Sequence, residues 1–352
     1  LWHINQKKQQ DIIVYIILEY YFCGETHPLM LKRILKWTGI ILLLIAIGIT
    51  IAVATRQNLK YDAPYPDIAI STDSTVLKRG EYLVYGPGHC ADCHGKVDML
   101  AEKERGDIVP LEGGFKFNLP VGYVYAPNIT PDKETGTGNI PVKALARALR
   151  YGVKPDGSIL FDFMPFHNTS DEDMTAIFSY LSTMQPVNHP VPESHLNVLG
   201  KVVKAFLIKP AGPTAEVPKS VKEDTSVEYG KYLANSVANC RGCHTNRDLK
   251  TGAFIGEDFA GGFQIESPID QAHFACITPN LTPDKETGKL AGWTEDAFIK
   301  RFRMGKLIKH SAMPWGPFRR MSDDNLKAIY RYLQTVKPIK NKVEKTLVEL
   351  KA

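Results

Sequence analysis

Cysteine is scarce: six in 352 residues, too few to staple a chain of this length into a disulfide scaffold. Excess charge of one sign is also scarce. The net charge is +5 from 43 basic and 38 acidic groups, and most of that excess sits at the N-terminal end. Residues 1–29 hold two basic and three acidic groups, and residues 30–60 hold Lys32, Arg33, Lys36, Arg56 and Lys60 with no acid. Beyond residue 60 there remain 36 basic and 35 acidic groups, interspersed rather than clustered. A nucleic-acid footprint needs Lys and Arg gathered on one face, so no nucleic-acid partner is expected. No run shows convincing alternation of apolar and polar residues, which argues against a sheet-based fold.

One long apolar run is present. Trp37 to Ala54 carries no charge over 18 residues, about 27 Å of helix and just enough to cross a bilayer. Lys32, Arg33 and Lys36 precede it, so the positive-inside rule keeps that end cytoplasmic and sends the rest across. Ala52-Val53-Ala54 also has the form of a signal-peptide processing site. A retained anchor over residues 30–60 is favoured, because the run is long and aliphatic to its end. Residues 1–29 read as an upstream extension translated in frame, with Met30 as the start and Cys23 without a role.

The remainder is organised by an internal repeat. Gly80-Glu-Tyr82-Leu83 matches Gly230-Lys-Tyr232-Leu233, and Cys90-x-x-Cys93-His94 matches Cys240-x-x-Cys243-His244, both offset by 150. The loop Asn128-Ile-Thr-Pro-Asp-Lys-Glu-Thr-Gly136 recurs as Asn280-Leu-Thr-Pro-Asp-Lys-Glu-Thr-Gly288. Met164-Pro165 recurs as Met313-Pro314, and Ser170–Thr183 as Ser322–Thr335. The pattern predicts helices at Gly80–Tyr85, at Pro141–Tyr151 and its copy Thr294–Met304, and after the caps Ser170 and Ser322. The domains expected are 76–186 and 226–340, joined by a breaker-rich linker over 187–225. Within the linker, Leu196, Leu199, Val203 and Phe206 predict an amphipathic helix, expected to pack between the repeats, with a membrane-surface role as the alternative.

Two thiols on one helical turn with an adjacent imidazole suit covalent haem: Cys90 and Cys93, and again Cys240 and Cys243, can add to the two vinyl groups while His94 and His244 reach iron. Structural zinc would want two more ligands near each pair, and thioredoxin-like chemistry a βαβ context. Two covalently bound haem c groups are therefore expected. The sixth ligands expected are Met164, 70 residues after His94, and Met313, 69 after His244. Proline beside each stiffens a loop that can present the thioether. His167 and His310 do not occupy equivalent places and are weaker candidates. The carbonyls of Pro127 and Pro279 are placed to accept the free Nδ1–H of each ligating histidine. Asn128 and Asn280, with Thr130 and Thr282, serve either haem propionates or the turn itself. Cys276 is expected to be buried. With both axial positions filled, the iron has no vacancy for a substrate, and no catalytic side chains are assigned.

On these residues the two repeats resemble class I c-type cytochrome domains. More narrowly they resemble the cytochrome c subunits of membrane-bound alcohol, aldose and gluconate dehydrogenases, through Gly-x-Tyr-Leu before each Cys-x-x-Cys-His, the Asn-x-Thr-Pro-Asp loops, Met-Pro and the last helices, from about Val76 to Val336. The fold expected is all-α: two tandem class I cytochrome c domains after an N-terminal transmembrane helix. The resemblance implies electron transfer in a periplasmic respiratory chain, in a protein anchored once in the bacterial inner membrane. Its redox partners would be a dehydrogenase or quinol-oxidising donor and an oxidase or soluble cytochrome acceptor. Typical members of that family carry three haems and attach near the C-terminus, unlike this chain. The alternative is a dihaem peroxidase or small-molecule oxidoreductase with one open haem.

Overall fold

The computed structural model describes residues 2–350 other than Pro165, Leu249 and Lys250, with side chains described from Leu29 onward. Cys23 therefore lies outside the described side chains. The chain divides into two units, Leu1–Gln57 and Asn58–Ala352. The first is a single helix, α1 (Trp2–Arg56). Its portion Leu29–Arg56 contains an 18-residue stretch of mean hydropathy 2.5 and is long and apolar enough to cross a membrane. Leu42, Leu43, Leu44 and Ile45 are all exposed along it.

In the second unit each repeat begins with a capped helix. Asp73 accepts from the backbone N–H of Thr75 to start α2 (Ser74–Tyr85), six residues earlier than the motif suggested. The short α3 (Cys90–His94) and α4 (Leu100–Arg105) follow, then α5 (Val142–Tyr151), closed by Gly152 in the left-handed region. Ser170 accepts from Asp173 N–H and caps α6 (Asp171–Thr183). After α7 (Val198–Phe206) the plan recurs in α8 (Val227–Asn235), α9 (Cys240–His244) and α10 (Glu295–Arg303), then α11 (Trp315–Phe318) and α12 (Asp323–Leu333). Thr294 and Ser322 cap α10 and α12 by the same side-chain oxygen geometry.

The expected all-α class is corrected by two small antiparallel sheets. β1 (Lys116–Leu119) pairs with β2 (Gly122–Tyr125) and that with β3 (His195–Leu196). β4 (Gln264–Glu266) pairs with β5 (Phe274–Ile277) and that with β6 (Leu347–Glu349). Strands of two to four residues are too short to show a period of two, and their partners lie as much as 75 positions away (Phe274 opposite Glu349), so no local pattern announces them.

β3 and β6 also extend the repeat. Each adds the third strand to its sheet, so each repeat runs past the end expected at 186 or 340. The linker helix α7 packs on the first repeat: a Cβ on Gly200 would lie 2.0 Å from the Val121 carbonyl oxygen.

The core of each repeat is a pair of crossed helices, α2 with α6 and α8 with α12. Both crossings close over glycine. A Cβ on Gly80 would sit 2.0 Å from Ala176 O, and one on Gly230 1.9 Å from Ala328 O. Leu83 and Ile177 are buried in one repeat, and Leu233 and Ile329 in the other.

The repeats join through reciprocal tyrosines. Tyr82 of the first donates to Asn325 Oδ1 at 2.8 Å and accepts from Ser322 N–H at 3.0 Å. Tyr232 of the second donates to Asp173 Oδ2 at 2.7 Å and accepts from Ser170 N–H at 3.1 Å. Each tyrosine thus occupies the N-terminus of the other repeat's last helix, where backbone N–H groups lack partners within the helix. Arg79 completes the second of these junctions with two hydrogen bonds to the buried Asp173 carboxylate at 2.9 and 3.1 Å.

Gly230→Ala is expected to destabilise the protein by about 3 kcal/mol through overpacking at the α8–α12 crossing. Denaturant unfolding monitored by circular dichroism checks this. An exposed helical glycine changed to alanine does the opposite, so a variant as stable as the parent would contradict the close contact.

Candidate cofactor sites

Both Cys-x-x-Cys-His segments start from a residue forced into the left-handed region, His89 at φ 37° and Asn239 at φ 47°. This turns the chain sharply between α2 and α3, and between α8 and α9. Asn239 tolerates it well and its side chain accepts from Gly242 N–H. The turn leaves Cys90 and Cys93, and Cys240 and Cys243, as free, half-buried thiols.

The histidines follow at the ends of α3 and α9, buried. His94 Nδ1 lies 2.8 Å from the Pro127 carbonyl oxygen and His244 Nδ1 3.0 Å from that of Pro279. A carbonyl only accepts, so Nδ1 carries the proton and Nε2 is left as the lone-pair nitrogen. Burial pushes both imidazoles below their usual range, His244 to about 4, against the opposing pull of the proline carbonyl. A neutral ring with an unprotonated Nε2 is what an iron ligand requires. The backbone oxygens of the same histidines accept from Gly113 and Gly261 N–H, each at 2.7 Å. These glycines stand at positive φ, with the proline loop so close that a Cβ on either would meet it at 2.5 Å.

Burial pushes Cys90, Cys93 and Cys240 up to about 12, and Cys243 upward as well. A dithiol redox centre needs a depressed thiol, so these pairs do not fit that chemistry. Among the described residues no group of three or more His, Cys, Asp or Glu side chains is placed to hold a metal. The donor set fits haem c instead: two thiols for thioether bonds and one neutral imidazole, in each repeat.

Met164 and Cys90 pack against the core of the first repeat, Met313 and Cys240 against that of the second. Each methionine carbonyl accepts from the backbone two residues on: Phe166 N–H donates to Met164 O at 2.9 Å and Trp315 N–H to Met313 O at 2.8 Å. Pro165, between the first pair, lies outside the described residues. His167 is committed elsewhere, with Nδ1 on Arg150 O and Nε2 on Asp162. His310 Nδ1 faces Ser267 Oγ and its ring stacks on Phe274 at 4.0 Å. Half-buried Cys276 donates to His310 O.

Asn128 spends all four of its hydrogen-bonding positions inside the protein. Its Oδ1 accepts from Thr130 N–H and Oγ1–H, and its Nδ2 donates to Thr135 Oγ1 and Val187 O. Asn280 does the same with Thr282, Thr287 and Ile339 O. Of the two roles expected from sequence, the structure displays the turn. These asparagines clasp the loop that carries Pro127 or Pro279 to the chain following the last helix.

Sequence reasoning missed the contacts each site makes with the other repeat. Arg247, three residues after His244, reaches Asp162, two before Met164, at 3.4 Å. Burial alone would raise the Asp162 carboxyl, but His167 and Arg247 hold it below the usual range. On the other side α11, just after Met313, packs on α4, where a Cβ on Gly316 would lie 1.9 Å from Lys103 O. Lys306 bonds Glu104 at 2.6 Å there. Asp92, Lys103, Lys306 and Met313 line a cavity of about 220 Å³ at this junction. Asp92 Oδ2 is buried in it without a hydrogen-bond partner. No signal in one sequence pairs Asp162 with Arg247; Tyr82 and Tyr232, by contrast, stood in the repeated motif.

Comparison with known proteins finds cytochromes among those similar to this chain. Residues 226–333 match the family described as cytochrome C oxidase, cbb3-type, subunit III. These residues form a c-type cytochrome domain. The chain is 31% identical over 292 residues to the cytochrome c subunit of alcohol dehydrogenase (quinone) from Gluconobacter oxydans, covering 76% of this chain and 56% of that one. It is 29% identical to the gluconate 2-dehydrogenase cytochrome c subunit of Pantoea cypripedii, covering 75% and 60%. A diheme cytochrome c-type protein of Cereibacter sphaeroides is 25% identical, covering 74% of this chain and 86% of its own length. The chain thus spans a little over half the length of the dehydrogenase subunits it matches. A cytochrome c domain implies covalently bound haem c.

Two measurements check the loop and the inter-repeat ion pair. Asn128→Ala is expected to cost about 3 kcal/mol by leaving buried loop groups unpaired, read as a lowered unfolding midpoint. Asp162→Asn is expected to lower stability at neutral pH. A depressed carboxyl contributes stability above the unfolded value, near pH 4, and loses it as pH falls through the folded value. The difference between variant and parent should therefore vanish in acid; a difference constant from pH 7 to pH 2 would contradict the assignment.

Proposed function

We propose that this chain is a membrane-anchored dihaem cytochrome c that transfers electrons between protein partners in a respiratory chain, as the cytochrome subunit of a dehydrogenase. The observation that carries it is the doubled site: a buried histidine with Nδ1 on a prolyl carbonyl, two free thiols before it, and a methionine on the same core about 70 residues on.

Haem c bound in such a site supplies a one-electron iron couple. Cys90 and Cys93, and Cys240 and Cys243, would hold it by thioether bonds. His94 and His244 would hold its iron through Nε2, and Met164 and Met313 would supply sulfur to it. The Pro127 and Pro279 carbonyls fix the ring orientation and strengthen the imidazole as a donor. A thioether and an imidazole ligand together would favour the reduced state, suited to a carrier on the oxidising side of a chain. The peroxidase alternative needs one repeat without a sixth protein ligand, and the recurrence of Met-Pro at Met164 and Met313 speaks against it.

The relatives named as subunits of alcohol and gluconate dehydrogenases support a redox partner protein as donor. The apolar helix supports membrane attachment. Lys32, Arg33 and Lys36 ahead of it support a cytoplasmic N-terminal side and a periplasmic location for the haem sites in the inner membrane.

Matured full-length protein is expected to give two haem equivalents per chain in a pyridine haemochrome assay, and Cys240→Ala with Cys243→Ala one. Met164→Leu and Met313→Leu should each remove the sulfur-to-iron charge-transfer absorption of one haem and lower that haem's potential. A single equivalent in the parent protein, or a high-spin haem that reacts with peroxide, would overturn the reading.

A further inference from the structure

The linker helix α7 is not enclosed by the protein. Gly200, Val203 and Ala205 are buried, but Val198 is 80% exposed, Leu199 44% and Leu207, at its C-cap, 59%. From Leu196 to Gly212 the chain carries Lys201, Lys204 and Lys209 and no acidic residue.

A second observation locates this helix. Tyr61 N–H donates to Gly157 O at 2.8 Å, and Lys60 pairs with Asp156 at 2.9 Å. The chain is thus fastened to the 154–157 turn four residues after Arg56, where the apolar helix ends. Four residues of extended chain reach at most about 14 Å. The charges of Lys154, Asp156 and Lys60 all act on Lys204, and a Cβ on Gly152 would lie 3.0 Å from Ala211 N. The C-terminal end of α7 and the residues after it therefore sit beside the point where the chain is tied down. If the apolar helix spans a bilayer, covalent connection keeps this corner near the surface that the helix leaves.

We propose that α7 makes a second, peripheral contact with that membrane. Val198, Leu199 and Leu207 enter the interfacial region, and Lys201, Lys204 and Lys209, with Lys60 and Lys154, meet the phosphates of anionic phospholipids. Exposed apolar side chains on a basic helix with no acid gain from both apolar burial and anionic headgroups. The contact would limit how the haem-bearing unit tilts on its tether, and so which face it offers to a partner. The proposal rests on the membrane-anchor reading above.

The test uses the full chain reconstituted in vesicles of phosphatidylcholine, with or without phosphatidylglycerol. A nitroxide is attached at Leu199→Cys or, as a reference, at Lys222→Cys, whose native side chain is 87% exposed. Cys23→Ser with Cys276→Ser is the background, so that no thiol outside the two Cys-x-x-Cys pairs takes the label; serine at 276 preserves a donor to His310 O. Position 199 is expected to gain oxygen accessibility and lose accessibility to a water-soluble nickel chelate in anionic vesicles, while position 222 stays open to the chelate. Lys201→Gln and Lys204→Gln should each lower the docked-to-free ratio about fivefold in anionic vesicles. Protein that floats with vesicles but leaves position 199 as open to chelate as position 222 overturns the proposal alone. Protein that does not float overturns the anchor and this proposal together. Equal shielding in neutral vesicles overturns the role given to the lysines.

Discussion

The hydrogen bond from a buried histidine to a prolyl carbonyl is the constraint around which each repeat is arranged. It holds the imidazole in one tautomer with Nε2 free, and it demands that a loop from 33 or 35 residues downstream arrive with sub-ångström accuracy. The Asn128 and Asn280 clasps exist to that end: they tie the loop to the segment following the last helix, so that the carbonyl cannot drift from the ring. Gly113 and Gly261 let the backbone after the histidine approach the same loop more closely than any side chain would permit. Burial then favours the neutral imidazole, which leaves the Nε2 lone pair free.

The way the repeats face one another turns two such sites into one unit. Tyr82 and Tyr232 each fill the open N-terminus of the partner repeat's last helix, an exchange between equivalent surfaces of the kind seen in a two-fold dimer. The exchange is not fully symmetric. Asp173 in the first repeat stands where the second has Asn325, and it carries Arg79 as counter-ion. Likewise Arg247 follows the second Cys-x-x-Cys-His segment at the place of Val97 after the first. Duplicated sites with unequal charges around them have unequal electrostatic surroundings.

Much was legible in the sequence because it rests on local chemistry. The thiol and histidine spacing, the paired methionines, the caps Ser170 and Ser322 and the helices over Pro141–Tyr151 and Thr294–Met304 each involve residues within a few positions of one another, or a motif occurring twice. The register of the repeat even carried the tyrosines that join its halves, though not what they touch.

What the sequence by itself determined is therefore the donor set and its duplication, since ligand type and helical spacing follow from residue identity and the geometry of one turn. Only the tertiary structure decided the strands, the true reach of each repeat, the saturated asparagine clasps and the pairing of Asp162 with Arg247. Those depend on groups far apart in the chain meeting across a packed interface. Their energies come from burial and from satisfying polar groups there, quantities that do not exist until the chain has folded.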